Sequence, residues 1–219
     1  MVPVYNEGPV LRQVAQELHL LDYTVIIVDD GSISDQLIHL QNLPVHFLRH
    51  QVNLGQGAAL QTGIEYALQM DPAYIVTFDG DGQHDPHDIS IMIGQLKAKD
   101  ADIVFGSRFL EGSGQNLSLK RKLLLQFARF INFLFTGELL SDAHNGLRVM
   151  NPKAAGKMKL RENRMAHATE IISIVRKNKL RYAEVPVNIR YTNYSRDKGQ
   201  KLPDAFRIFF DLLLNKIFG

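Results

Sequence analysis

Residues 73–83 read Ala73-Tyr74-Ile75-Val76-Thr77-Phe78-Asp79-Gly80-Asp81-Gly82-Gln83, an apolar run that breaks into two aspartates, one residue apart, among glycines. A strand buried on both faces reads as a nearly continuous hydrophobic run, which predicts a sheet strand from Ala73 to Phe78. Thr24 to Val28 and Asp102 to Phe105 read the same way, and Asp29-Asp30-Gly31-Ser32 follows the first of them. Between the runs, Leu60, Ile64, Ala67 and Leu68 share one face of a helix, and Ile89, Ile93 and Leu96 repeat that pattern. Strand and helix alternate, which predicts an α/β fold with a mainly parallel sheet. Ligands of such sheets bind beyond the carboxyl ends of the strands, where both aspartate clusters fall.

The rest of the composition narrows the function. The 219 residues include no cysteine, 45% are hydrophobic and 22% charged, which allows a full core but no disulfide framework or thiolate chemistry. A formal charge of +2 is too balanced for a protein held to nucleic acid mainly through phosphates, so no nucleic-acid partner is expected. No stretch approaches the roughly 18 apolar residues of a membrane span, and no secretory signal is visible, so the expected address is cytoplasmic. With no repeat and no long linker, residues 1–219 are read as a single domain. Val2-Pro3-Val4-Tyr5 reads as the end of a strand that is either short or clipped.

Asp79 and Asp81 can aim oxygen ligands at one hard cation. Mg²⁺ or Mn²⁺ bridged to a diphosphate suits one or two carboxylates, with phosphate and water completing the shell. A helix-loop-helix calcium site is excluded, because His84 stands where its glycine belongs and Ser90 where its glutamate belongs. A solvated Asp-Gly turn stays open as an alternative. Asp29-Asp30-Gly31-Ser32 can likewise be a turn with a helix cap. Asn53-Leu54-Gly55-Gln56-Gly57 lacks the lysine of a P-loop and reads first as a helix start.

Order and spacing add to these motifs. Pro3-Val4-Tyr5-Asn6-Glu7, Asp29-Asp30-Gly31-Ser32, Asn53-Leu54-Gly55, Asp79-Gly80-Asp81-Gly82-Gln83, Gly106-Ser107-Arg108-Phe109 and the segment from Ser141-Asp142 to Gly146-Leu147-Arg148 follow one another in this order. Over about residues 2 to 200 the chain resembles family 2 glycosyltransferases of the GT-A fold, and among them the polyprenyl-phosphate glycosyltransferases. The resemblance implies a Rossmann-like three-layer α/β/α sandwich on a mainly parallel mixed sheet. It implies an inverting transfer of a hexose from a GDP- or UDP-sugar to a dolichyl or undecaprenyl phosphate. Pro3, Tyr5, Glu7 and Asp29 would line the nucleotide pocket. Asp79, Asp81 and Gln83, with Gly80 between them, would bind metal and donor diphosphate. Arg108 and Arg121 would face the acceptor phosphate, and Asp142 and Arg148 would lie near sugar and phosphates. Ser195-Arg196-Asp197-Lys198-Gly199-Gln200-Lys201 resembles the family's basic loop, so Arg196 and Lys198 join the acceptor side.

The chemistry of the residues agrees with this. A leaving diphosphate needs its charge neutralised by metal and fixed cations. A phosphate acceptor is already ionised at neutral pH and needs no general base, whereas a glycan hydroxyl would, with Asp142 as the candidate. His84 reads as a neighbour of the metal site rather than a ligand, and His144 and His167 as surface or packing residues. The apolar run from Leu123 to Phe135, behind Lys120-Arg121-Lys122, and an amphipathic tail with Phe206, Phe209, Phe210, Leu213 and Ile217 on one face are too greasy for freely solvated helices. Segments at about 118–136 and 202–218 are therefore expected to meet a membrane surface, a buried core or dimer contact being the alternative. A small membrane-protein partner is a further possible anchor.

Overall fold

A computed structural model describes residues 1–111, 133, 137, 140–164 and 166–190. Arg121, Arg196 and Lys198 lie outside the described residues, as do the tail and all of the Leu123 to Phe135 run except Phe133.

All five residues of β2 (Val25–Asp29) and of β5 (Ile103–Ser107) are buried, as continuous apolar runs require. The strand expected from Ala73 to Phe78 is shorter, β4 (Ile75–Thr77), and β1 (Val2–Val4) also has three residues. β1, β2 and β3 (Val45–Arg49) pair in parallel in that order. A second sheet has the order β4-β6-β5-β7, with β6 (Arg148–Met150) antiparallel to both neighbours and β7 (Tyr182–Pro186) parallel to β5. The Met1 nitrogen donates to the Val76 carbonyl at 2.7 Å, and the Phe78 N–H donates to the Met1 carbonyl at 3.0 Å. That pair of bonds straddles Thr77 in the parallel pattern, so the sheets join edge to edge as β3-β2-β1-β4-β6-β5-β7.

Helices cover both faces. α1 (Val10–Leu20) buries Leu11, Val14, Ala15 and Leu18, one stripe at helical spacing. With α3 (Asp88–Ala98) it packs on Val25, Ile27, Val104 and Val149. The opposite face, through Ile26, Val28, Ile103 and Phe105, carries α2 (Gln56–Leu68), the short α4 (Pro152–Ala155) and α5 (His167–Lys177). Alternate strand residues thus feed two cores, giving the expected three layers. Each fully buried Ile or Leu there contributes roughly 1.5–3 kcal/mol of transfer free energy.

β6 decides what gathers at the site. Because it runs backwards, its first residue, Arg148, pairs with Thr77 and Phe105 near the carboxyl ends of β4 and β5. The end of one strand pair and the start of another therefore meet at one edge.

Candidate active site

Asp79 and Asp81 follow β4 at the carboxyl edge of the sheet. They border a small cavity of about 80 Å³, which Gln83, His84, Arg108, His144, Asn145, Gly146 and Ile189 also line. Asp79 is held from both sides: the Gln56 amide donates to its Oδ1 at 3.2 Å, and His84 Nε2 lies 3.2 Å from its Oδ2. Gly146 permits this placement, since a Cβ there would stand 2.0 Å from Asp79 Oδ2. Burial pushes the Asp79 carboxyl up, but the His84 hydrogen bond and charge, with Arg148 and His167 beyond it, hold it below the usual carboxylate range. Asp81 moves the other way. Burial and the neighbouring Asp79 charge raise it, although the Gln83 backbone N–H donates to its Oδ1 at 3.0 Å and the Gln83 amide donates to its Oδ2. Gln83 thus spends its amide N–H on Asp81.

Two close carboxylates in a recess, one of them destabilised by the other, are a donor set that a divalent cation relieves. Among the described residues no three His, Asp or Glu side chains converge to hold a metal by themselves. Such a set suits Mg²⁺ or Mn²⁺ completed by phosphate oxygens and water, so the residues present fit the ion.

The cations stand opposite. Arg108, just past β5, forks onto Asp142, with Nε to Oδ2 at 2.7 Å and Nη2 to Oδ1 at 2.8 Å, and its backbone N–H adds a third bond at 3.1 Å. Burial opposes the Asp142 charge, but Arg108 outweighs it and keeps the carboxyl low. Arg148 is only 1% exposed and its Nε has no hydrogen-bond partner. Burial lowers its pKa while the Asp79 and Asp142 charges support it. A buried cation with an unpartnered donor beside two carboxylates fits a site built for a further anion.

The remaining expected donor residues divide. Pro3 is buried in β1, and Gly80 abuts its carbonyl and the Glu7 side chain. Tyr5 is exposed and Glu7 half-buried. Asn6 ties their loop to the next one: its N–H donates to Ser32 Oγ at 2.8 Å, and its Oδ1 accepts from the Ile33 N–H at 2.9 Å. Asp29 is fully buried, its Oδ1 accepting from the Ser32 N–H at 3.0 Å and its Oδ2 lying 3.3 Å from Arg49 Nε. It shapes the loop from within rather than presenting itself to solvent.

Sequence reasoning missed four contributors. Asp30 organises the Asn53-Leu54-Gly55 loop by accepting from the Leu54 N–H at 3.0 Å and the Gly55 N–H at 2.7 Å, and His50 Nδ1 sits 2.7 Å from it. Gly55, at φ +107°, turns the chain so that Gln56 can reach Asp79. Gly146 makes room for that carboxylate. His167, read as surface or packing, is 3% exposed at the start of α5 near Asp79 and Arg148. Burial and the Arg148 charge lower its imidazole to about 4, so it is neutral near pH 7. His144 is exposed and lines the cavity. Only the unusual spacing of glycines and the polar residues around them signalled any of this.

The family model described as Glycosyl transferase family 2 matches residues 1–158. A UDP-N-acetylglucosamine--dolichyl-phosphate N-acetylglucosaminyltransferase of Methanococcus voltae is 32% identical over 238 residues, covering 99% of this chain and 95% of the relative. A dodecaprenyl-phosphate galacturonate synthase of Rhizobium johnstonii is 28% identical, covering 97% of this chain and 64% of the relative. In fold, the chain is similar to glucosyl-3-phosphoglycerate synthase of Mycobacterium tuberculosis, solved with Mn²⁺, UDP and phosphoglyceric acid. The TM-score is 0.69 at 16% identity, with 98% of this chain and 76% of that one covered. The architecture is GT-A, and the chain belongs to glycosyltransferase family 2.

Proposed function

We propose that the chain moves a hexose, with inversion, from a GDP- or UDP-sugar to a polyprenyl phosphate at the cytoplasmic face of a membrane, using Mg²⁺ or Mn²⁺. The observation that carries the reading is the single cavity where Asp79 and Asp81 face Arg108, with buried Arg148 behind. The names of the Methanococcus voltae and Rhizobium johnstonii relatives support a polyprenyl-phosphate acceptor, and the first supports a UDP-sugar donor.

Asp79 and Asp81 would hold the metal, which when bound neutralises charge on the leaving diphosphate. Gln56 and His84 fix the direction of Asp79, and Gln83 fixes that of Asp81. Arg148 supplies a fixed positive charge where diphosphate charge grows as the anomeric bond breaks. The attacking phosphate oxygen is already ionised, so no proton has to leave. Asp142 agrees with this: both of its oxygens serve Arg108, which leaves it poorly placed as the base a glycan hydroxyl would need. Tyr5 and Glu7 would line the donor side, on the loop that Asn6 ties to the one Asp29 shapes. Arg121, Arg196 and Lys198 belong to the acceptor side. For Arg196 and Lys198 the support is that Arg190 is pinned beside the metal loop, its N–H donating to the Gln83 carbonyl at 2.8 Å. Arg196 lies six residues further along the chain, within about 20 Å of extended reach.

A thermal-shift panel of UDP, GDP and their sugars, each with Mn²⁺, Mg²⁺ or EDTA, tests the reading. One base is expected to stabilise the protein, and only with metal. A ligand at 100 times its Kd adds about 2.7 kcal/mol. Equal stabilisation in EDTA would overturn the metal assignment.

A further inference from the structure

The flank built by α4, residues 156–164 and the outer face of α5 differs in charge from the rest of the molecule. Residues 157–179 hold seven Lys or Arg against two Glu, a positive excess of five in a chain whose whole balance is +2. A groove of about 650 Å³ runs along this flank, with Lys157, Lys159 and Arg161 on one segment and Ser173 and Lys177 on α5. Its one carboxylate is already spent: Glu170 accepts from the Arg161 N–H at 3.0 Å and the Glu162 N–H at 2.9 Å. Among the described residues, the exposed ammonium groups of Lys157, Lys159 and Lys177 make no ion pair or hydrogen bond. Like charges gathered around one groove repel each other until an anion enters.

One exposed aromatic residue stands near the same helix. Phe133 is 41% exposed, and its carbonyl accepts from the Gly137 N–H at 2.7 Å. Gly137 in turn lies against the Arg176 guanidinium, so close that a Cβ would meet Nη1 at 1.9 Å. Lys177 is the next residue along α5. Unpaired lysines around one groove are attracted to the phosphates of an anionic bilayer, by about 1 kcal/mol for each cation near the surface.

We infer that this groove receives the phosphates of anionic phospholipid headgroups and lays the α5 flank on the membrane. The inference rests on the proposed polyprenyl-phosphate acceptor, whose reactive phosphate sits at a bilayer surface. It names a docking face outside the catalytic cavity.

The test is co-sedimentation of the full chain with phosphatidylcholine vesicles, with and without phosphatidylglycerol. Alongside it, turnover is measured on a short-chain polyprenyl phosphate in detergent. The unaltered protein is expected to prefer the phosphatidylglycerol vesicles and to release in salt. A triple Lys157→Gln, Lys159→Gln, Lys177→Gln variant is expected to bind them about 100-fold more weakly, about five-fold per lysine, with unchanged melting temperature and detergent turnover. Equal binding to both vesicle types, or full binding by the triple variant, overturns the inference. If the protein ignores vesicles yet turns over the detergent acceptor, the docking face is wrong and the acceptor reading survives. If the triple variant loses phosphatidylglycerol binding while no polyprenyl phosphate is turned over, the docking face stands and the acceptor reading falls.

Discussion

At the amino edge of the sheet, Asp102 sits just before β5 and accepts from the Arg181 N–H at 2.9 Å, the Asn151 amide at 3.1 Å and Lys153 Nζ at 3.2 Å. At the carboxyl edge, Asp79 and Asp81 line one cavity, and Arg148 Nε has no hydrogen-bond partner. Burial opposes the charge of Asp102, but its donors outweigh that and bring its carboxyl down to about 2. At Asp81, burial and Asp79 prevail and the carboxyl rises. One residue type is therefore satisfied by the protein at one edge and left in want of a cation at the other. Asp102 invests its charge in the fold, whereas Asp81 carries a charge that the protein around it opposes.

The largest expected effect lies at the cavity. Asp79→Asn or Asp81→Asn should cut sugar transfer by about 10²–10³-fold, the scale seen when one electrostatic stabiliser is removed. Melting temperature should hold or rise for Asp81→Asn, because a repelled carboxylate disappears, and should fall for Asp79→Asn, because buried Arg148 loses a supporting charge. A large loss of stability in Asp81→Asn would place Asp81 in the same class as Asp102 and erase the comparison.

Gly146→Ala comes next. Its Cβ would overlap Asp79 Oδ2, and displacing an oxygen proposed to hold the metal by about 1 Å should cost on the order of 10²-fold in rate. Metal-dependent nucleotide binding should fall in parallel, which a thermal shift with and without Mn²⁺ would read.

Asp102→Asn should do the reverse, costing about 2–3 kcal/mol of folding stability in a denaturant titration while folded protein keeps its turnover. The pH dependence has a defined sign. The folded carboxyl is depressed to about 2 from its ordinary 3.8, so its stabilisation is complete above about pH 4 and is lost as pH falls through about 2. The Asn variant should lack that acid limb. Smallest of all, Lys153→Ala removes a partner that is 66% exposed, so it should cost no more than about 1 kcal/mol despite the 3.2 Å contact.

The parallel core was legible because residues buried on both faces have to be apolar without interruption. β2, β4 and β5 stood out for that reason, and the two aspartate clusters stood out as the polar breaks ending the first two. The reach of β4 was overestimated, since Phe78 is buried and apolar without belonging to the strand. Arg148 and Gly146 were harder to read. Their place beside Asp79 comes from a backward strand 70 residues further on, and no local periodicity reports a long-range antiparallel pairing. Gln56 and His167 enter from helix starts, where a polar residue reads as an ordinary cap. Asp29 and Asp30 show the limit of motif reading: the resemblance singles out Asp29 for the nucleotide pocket and says nothing of Asp30, while in the structure both are buried and hold loops.

The most direct measurement is nucleotide release by the purified chain supplied with a nucleotide sugar, with or without a polyprenyl phosphate and with Mn²⁺ or EDTA. Release that requires both the lipid phosphate and the metal, and that Asp79→Asn abolishes, is the expected result. Release at full rate in EDTA, or with a glycan hydroxyl acceptor in place of the lipid phosphate, would contradict the account.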